Sequence, residues 1–245
     1  MPLPSSCRSC CAAWLIAALL IACVPPKPPP PRPTVAQVAA RKAKASERGK
    51  LAPDKHASRK DGLRGGKLIF EDDFERAQAG ADWSVLQAGE WEIKDGRLVA
   101  NRVPVYDDRN KGVWLNKELP AKARIEFEAL AVDERGDTKC EVFARSKSHE
   151  SGYSIIFGGW NNTINTIARL GEHEPKRAIQ RPHVPVETNR TYKWTVIRTD
   201  NVIRWYVDGR FMIAYDDPEP VKGRFFGFNN WLTTVSFDKV RVWEL

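Results

Sequence analysis

The stretch from Thr191 to Asp217 limits most sharply what this chain folds into. It reads Thr-Tyr-Lys-Trp-Thr-Val-Ile-Arg, breaks near Asp200-Asn201, continues Ile-Arg-Trp-Tyr-Val, breaks at Asp208-Gly209, and ends Arg-Phe-Met-Ile-Ala-Tyr-Asp-Asp. Asp-Gly between runs of β-branched and aromatic residues is a hairpin signal, because both central turn residues need positive φ. Side chains alternate across a strand, so Ile203, Trp205 and Val207 share one face and Arg204, Tyr206 and Asp208 the other. The segment therefore predicts a half-buried antiparallel meander that must pack its apolar side on something. Val235 to Trp243 reads as a further strand able to close it.

Other segments carry the same texture. Period-two runs occur at Lys67–Phe70, Trp91–Ile93, Arg97–Asn101, Val113–Leu115, Ala123–Ala131, Lys139–Arg145, Gly152–Phe157 and Thr163–Leu170, divided by turn signals such as Asp95-Gly96 and Gly158-Gly159. Many short strands punctuated this way predict an all-β antiparallel sandwich over residues 67–245, long enough for one core between two sheets. No long helix and no internal repeat is expected, and a monomer is expected.

The motifs Trp194-Thr-Val, Trp205-Tyr-Val-Asp-Gly209, Gly223-Arg-Phe-Phe-Gly-Phe228 and Val235-Ser-Phe-Asp-Lys-Val-Arg-Val242 resemble the closing strands of concanavalin A-like lectin/glucanase jelly rolls. Phe70-Glu-Asp-Asp-Phe74, Trp83, Trp91-Glu-Ile93 and Asp95-Gly-Arg-Leu98 resemble their opening strands. Within that superfamily the likeness is to bacterial 3-keto-disaccharide hydrolase-type domains. The resemblance covers most of Leu68 to Leu245. It implies the fold and a sugar ligand more firmly than an activity, since one fold hosts many functions.

Residues before this region differ in kind. Met1 to Ala22 has Arg8 in a short n-region and an apolar run from Ala12 to Ala22, too short for a comfortable membrane span. Leu20-Ile-Ala-Cys23 resembles the lipobox of bacterial lipoproteins, which implies a 1–22 signal peptide, an acylated Cys23 and a lipid-anchored envelope protein. Val24 after that cysteine implies the outer membrane. Residues 23–66 read as a tether: a polyproline spacer in Val24 to Thr34, then a disordered basic stretch. The net charge of +8 resides there. Residues 41–67 carry ten Lys/Arg against three Asp/Glu, whereas the chain from Leu68 on carries 26 against 28. With no aromatic residues interleaved in the basic stretch, no nucleic-acid partner is expected. Cys140 stands alone in the sandwich and reads as a small buried hydrophobe.

Trp91, Trp114, Trp194, Trp205 and Trp243 lie in predicted strands and read as core between the sheets. Trp160, with Gly158-Gly159 before it and Asn161-Asn162 after it, and Trp231, after Asn229-Asn230, lie in polar, turn-like contexts. A flat apolar ring beside amide groups suits a sugar, so these six residues are the candidate ligand set. The asparagines equally suit Asx turns with positive φ.

An enzyme would need carboxylates. Glu126 and Glu128 share a strand face about 7 Å apart along the backbone, near the ~5.5 Å carboxyl spacing of a retaining glycosidase. The related family 16 glucanases imply a Glu-x-Asp-x-Glu strand, whereas the third position here is Leu130. The same alternation also describes a solvated outer face. A base acting beside the carbonyl of an oxidised sugar is the other route, with Glu141, Arg145, His149, His173 and Glu174 as candidates. No cofactor is expected. Asp133 to Asp137 has the composition of a calcium loop, although Arg135 sits within it.

Overall fold

The computed structural model describes residues 55–86, 90–101 and 112–245. The leader, Cys23 and the polyproline spacer lie outside the described residues. The described residues from Lys67 onward form fifteen strands: β1 (Lys67–Asp72), β2 (Trp83–Val85), β3 (Trp91–Lys94), β4 (Arg97–Ala100), β5 (Val113–Leu115), β6 (Ala123–Ala131), β7 (Thr138–Ala144), β8 (Tyr153–Gly158), β9 (Ile164–Arg169), β10 (Ala178–Ile179), β11 (Thr191–Thr199), β12 (Val202–Val207), β13 (Arg210–Asp216), β14 (Phe225–Asn229) and β15 (Val235–Glu244). They build two antiparallel sheets. One runs β13-β12-β11-β6-β15-β4-β3, with β1 added on β15, and the other runs β10-β9-β8-β7-β14-β5-β2.

The meander forms as its turn chemistry dictates. Asp208 and Gly209 both take positive φ, 50° and 73°, the backbone that a tight two-residue hairpin requires. Inward residues of both sheets then meet in an aromatic core. Phe127 of β6 stacks on Trp194 with centroids 5.1 Å apart and meets Phe228 edge-on at the same distance, while Phe228 stacks on Phe237 at 4.0 Å. Cys140 is buried in this core, as expected.

Two of the five expected core tryptophans lie elsewhere. Simple alternation from Val235 and Phe237 would turn Trp243 inward. The pairing of β15 with β6 shifts register between Asp238 and Arg241, and a bulge reverses facing beyond it. Val240 and Val242 therefore point into the core. Trp243 lies on the outer face with the Arg124 guanidinium 4.1 Å over its ring. Trp114 is fully buried but outside the inter-sheet core. It lies across Gly227, where a Cβ would come within 2.8 Å of the indole, so only glycine fits there.

The expected end of the tether also moves. Residues 55–66 pack across the outer face of the eight-stranded sheet rather than remaining free. Arg204 of β12 is 0% exposed. Its guanidinium donates to the backbone oxygens of Arg59 (3.3 Å) and Asp61 (2.6 Å) and pairs with the Asp61 carboxylate at 3.0 Å. Tyr206 donates to the Arg59 oxygen, and Arg124 donates to the Gly62 and Gly65 oxygens at 3.0 Å. The middle strand β12 is thus buried on both faces, whereas β11 keeps Thr191 and Lys193 exposed and β13 keeps Arg210 and Asp216 exposed. Buried guanidinium donors need acceptors, and this polar strap supplies them from its backbone.

Candidate functional site

The site begins with the alternation of β7. Cys140 and Val142 face the core, so Lys139 and Glu141 point to the outer face of the seven-stranded sheet. Cross-strand partners frame them. Ile156 and Asn229 flank Lys139, and Ser154 and Gly227 flank Glu141. Two loops then fold over that face. The β7–β8 loop is closed by Arg145 N–H donating to the Ser151 oxygen at 3.0 Å and carries His149. The loop after β9 carries Glu172, whose N–H donates to the Glu150 carboxylate at 2.9 Å and ties the two loops together.

The charged side chains converge. His149 Nδ1 lies 2.6 Å from Glu141 Oε1 and its Nε2 lies 3.5 Å from Glu172 Oε1. Lys139 Nζ is 2.7 Å from Glu172 Oε1 and 3.8 Å from Asp137 Oδ1. The Ser154 hydroxyl donates to Glu141, 2.9 and 3.0 Å from its two oxygens. Burial alone would neutralise these groups, but the partners outweigh it. Burial pulls the Lys139 pKa down, yet the charges of Asp137 and Glu172 raise it overall. Burial likewise lowers His149, and the Glu141 hydrogen bond and charge, with Glu172, leave it raised. Burial raises Glu172, and Lys139 and His149 bring it below the usual carboxylate range.

Above this floor lies a cleft of about 440 Å³ lined by Asp137, Lys139, His149, Glu150, Trp160, Glu172, His173 and Trp231. Trp160 follows the end of β8 and Trp231 the end of β14, the two strands on either side of β7. The rings thus flank the Asp137 end of β7. Trp160 is half-buried. His173 meets it edge-on at 5.4 Å, and the Arg177 guanidinium lies 5.0 Å over the ring. Trp231 is 43% exposed.

Trp160 occupies an unusual backbone position. It opens a left-handed turn within Gly159–Asn162 in which Trp160, Asn161 and Asn162 have φ of 52°, 56° and 58°. Left-handed backbone costs an L-residue about 1–2 kcal/mol, and a bulky side chain there is an outlier. Such strain persists where the surroundings hold it, often at working sites. Here Asn162 does the holding. Its Nδ2 donates to the Val186 oxygen at 2.7 Å, and its Oδ1 accepts the Val186 N–H at 2.8 Å.

The structure divides the six residues of the candidate ligand set. Both tryptophans line the cleft. Asn161 is exposed in the turn, and Asn162 is engaged by Val186. Asn229 is buried beside Lys139, where its Oδ1 accepts the Asn230 N–H. Asn230 is also buried, and it donates to the Thr233 oxygen at 2.8 Å.

Of the candidate acids and bases, Glu141, His149 and His173 come together. Arg145 and Glu174 are exposed and do not line the cleft. Glu126 and Glu128 lie on the outer face of the other sheet. There they pair with Arg124 (2.9 Å) and Lys239 (3.3 Å). Lys139 and Glu172 escape a sequence reading, because only the fold brings them together. The one local signal is a Lys and a Glu alternating with Cys140 and Val142 in a strand.

Glu141, His149 and Glu172 have donor atoms within 4.8 Å of one another and of the types that hold a divalent cation. The Lys139 ammonium against Glu172 already places a positive charge among them. The proposed calcium loop does not converge. Asp133 accepts from Thr233, Thr234 and Arg135, whereas Asp137 faces Lys139. A second depression, about 520 Å³, runs past Arg169, Tyr215 and Asp217. Its Asp217 is held by Tyr153 at 2.5 Å and Arg169 at 2.7 Å, and no tryptophan lines it.

Known proteins place the architecture. A carbohydrate binding module, CBM66 from Bacillus subtilis, superposes with a TM-score of 0.54 at 15% identity, over 69% of this chain and 98% of its own. A Bacillus licheniformis beta-glucanase does so at 0.54 and 15%, over 74% and 100%. A Bacillus subtilis protein of unknown function with a galectin-like fold reaches 0.57 at 10%, over 74% and 97%. The fold is a concanavalin A-like jelly roll. In sequence, residues 134–241 match the family model described as farnesoic acid 0-methyl transferase. The match spans less than half of the chain, including every residue that lines the cleft. No curated protein matches the chain.

Proposed function

We propose that this protein binds glycan in the cleft over β7. The observation that carries the reading is the pair of tryptophans flanking one strand, one ring held in a strained turn and the other exposed, above a floor of charged hydrogen-bonding groups. The rings offer flat surfaces to the C–H faces of a sugar, and the floor offers donors and acceptors to its hydroxyls. Relatives of the same fold named as a carbohydrate binding module and a beta-glucanase support it. Intrinsic tryptophan fluorescence of the full chain, titrated with cell-wall, storage and plant polysaccharides with and without calcium, tests it. Saturable binding lost on Trp160→Ala or Trp231→Ala is the expected result. Silence across the panel would count against it.

One observation favours a second reading, cleavage of a glycoside of the 3-keto-disaccharide hydrolase type. Glu172 lines the cleft as an ionised carboxylate with oxygens to accept a proton, although the charges of Lys139 and His149 lower its pKa and weaken it as a base. Against it, Glu141 is sealed from solvent and both His149 nitrogens face carboxylates. Product release during the titrations separates the two readings. The lipobox resemblance at Cys23 supports an envelope lipoprotein, which we place at the outer membrane. Labelling with a fatty-acid analogue, lost on Cys23→Ser, tests that assignment.

A further inference from the structure

We infer that the cleft selects neutral glycans and excludes those bearing carboxylate or sulfate groups. The inference rests on the glycan-binding reading and deepens it.

The charges facing the cleft are unequal. Asp137, Glu150 and Glu172 line it, with Glu141 beneath, against Lys139 and His149, while the His173 ring lies edge-on to Trp160. Each cation is already engaged. Lys139 lies between Glu172 at 2.7 Å and Asp137 at 3.8 Å, and His149 lies between Glu141 at 2.6 Å and Glu172 at 3.5 Å. The Arg177 guanidinium covers Trp160 and donates to the Glu172 backbone oxygen at 2.9 Å. An arriving anion would therefore find no uncommitted cation on the floor and would approach Glu172 and Glu150 as like charges. Like charges brought together in a partly desolvated site repel strongly. Sugar hydroxyls meet the opposite situation. They donate to carboxylate oxygens in short, charge-assisted bonds.

The test uses the full chain and tryptophan fluorescence at low salt. The probes are laminarin, cellohexaose and mannohexaose, each beside its C6-oxidised, carboxylate-bearing derivative, together with polygalacturonate and heparin. The expected result is saturable binding of at least one neutral probe and at least tenfold weaker binding of its oxidised partner. The gap should narrow in 0.5 M salt, about a 4 Å screening length. It should also narrow in Glu150→Gln, which removes a charge but leaves a side-chain oxygen to accept the Glu172 N–H. Glu172→Gln should narrow it further, and the exposed Glu150 variant serves if that protein fails to fold. Equal or tighter binding of the oxidised form overturns the selectivity while leaving glycan binding intact. Failure of every probe, neutral and anionic, overturns both.

Discussion

His149 Nδ1 sits 2.6 Å from Oε1 of Glu141, a carboxylate with no exposure to solvent. The imidazole thus closes over a buried acid while its other nitrogen faces Glu172. Together with Lys139, these groups make a floor whose members hold one another in place.

This arrangement makes stability depend on pH. The folded pKa of His149 is raised, because Glu141 and Glu172 outweigh its burial. A raised pKa gives stabilisation that is complete below the unfolded value, about 6.5, and is lost as pH rises through the folded value. Denaturant unfolding of the wild type and His149→Gln should differ by about 1.5–3 kcal/mol at pH 5.5, and the difference should shrink toward pH 9. A gap that does not change with pH would falsify the charged pairing. Glu172 has the opposite sign. Its lowered pKa keeps its contribution present above about pH 4.3 and lost only as pH falls through the folded value.

Trp160 should report its own backbone strain. Trp160→Ala and Trp160→Gly both remove the ring, so both should abolish glycan binding. Only glycine relieves a φ of 52°. The glycine variant should therefore be the more stable of the two by about 1 kcal/mol, read by denaturant midpoint. Equal midpoints would mean that the turn is relaxed.

Trp231 should separate binding from folding. The ring is largely outside the core, so Trp231→Ala should shift stability by no more than about 0.5 kcal/mol. Its glycan affinity should fall at least tenfold, the loss of about 1.4 kcal/mol or more of contact. Unchanged affinity would remove this ring from the site.

The strap should prove part of the folded domain. A chain starting at Lys67 should melt below one starting at Lys55, because Arg204, Arg124 and Tyr206 lose their acceptors. Asp61→Asn should reproduce part of that loss near neutral pH. The pKa of Asp61 is lowered to about 2, first by the Arg59 hydrogen bond and further by the charge of Arg204. Its contribution is therefore present above about pH 3.9 and lost as pH falls toward 2. Wild type and Asp61→Asn should converge there in circular-dichroism melts.

Glu126 and Glu128 should be dispensable for the site. Glu126 pairs with the buried Arg124 and Glu128 with the exposed Lys239, both on the sheet away from the cleft. The double glutamine variant should bind glycan as the wild type does. A loss of binding would relocate the site to that face.

The hairpin at Asp208-Gly209 and the inward facing of Trp205 were legible because turn chemistry and alternation are local. Trp243 was not, since a bulge is decided by pairing with β6 rather than by the residues of β15 alone. The strap was illegible for a related reason. Its sequence has almost nothing apolar to bury, and what holds it is the demand of Arg204 and Arg124 for backbone acceptors. In the cleft, Trp160 and Trp231 announced themselves by their Gly and Asn neighbours. Lys139 and Glu172 could not, because an ion pair between a mid-strand lysine and a distant loop exists only once β7, β8 and β9 are side by side.

The strap also gives the domain a front and a back. Residues 55–66 lie on the outside of the eight-stranded sheet, and the cleft opens from the outside of the seven-stranded one, with the thickness of both sheets between them. Lys55, the first described residue, thus lies at the rear. A load held at that end does not compete with a ligand for the same surface, and pulling on it draws against the Arg204 and Arg124 bonds before it reaches any strand that frames the tryptophans.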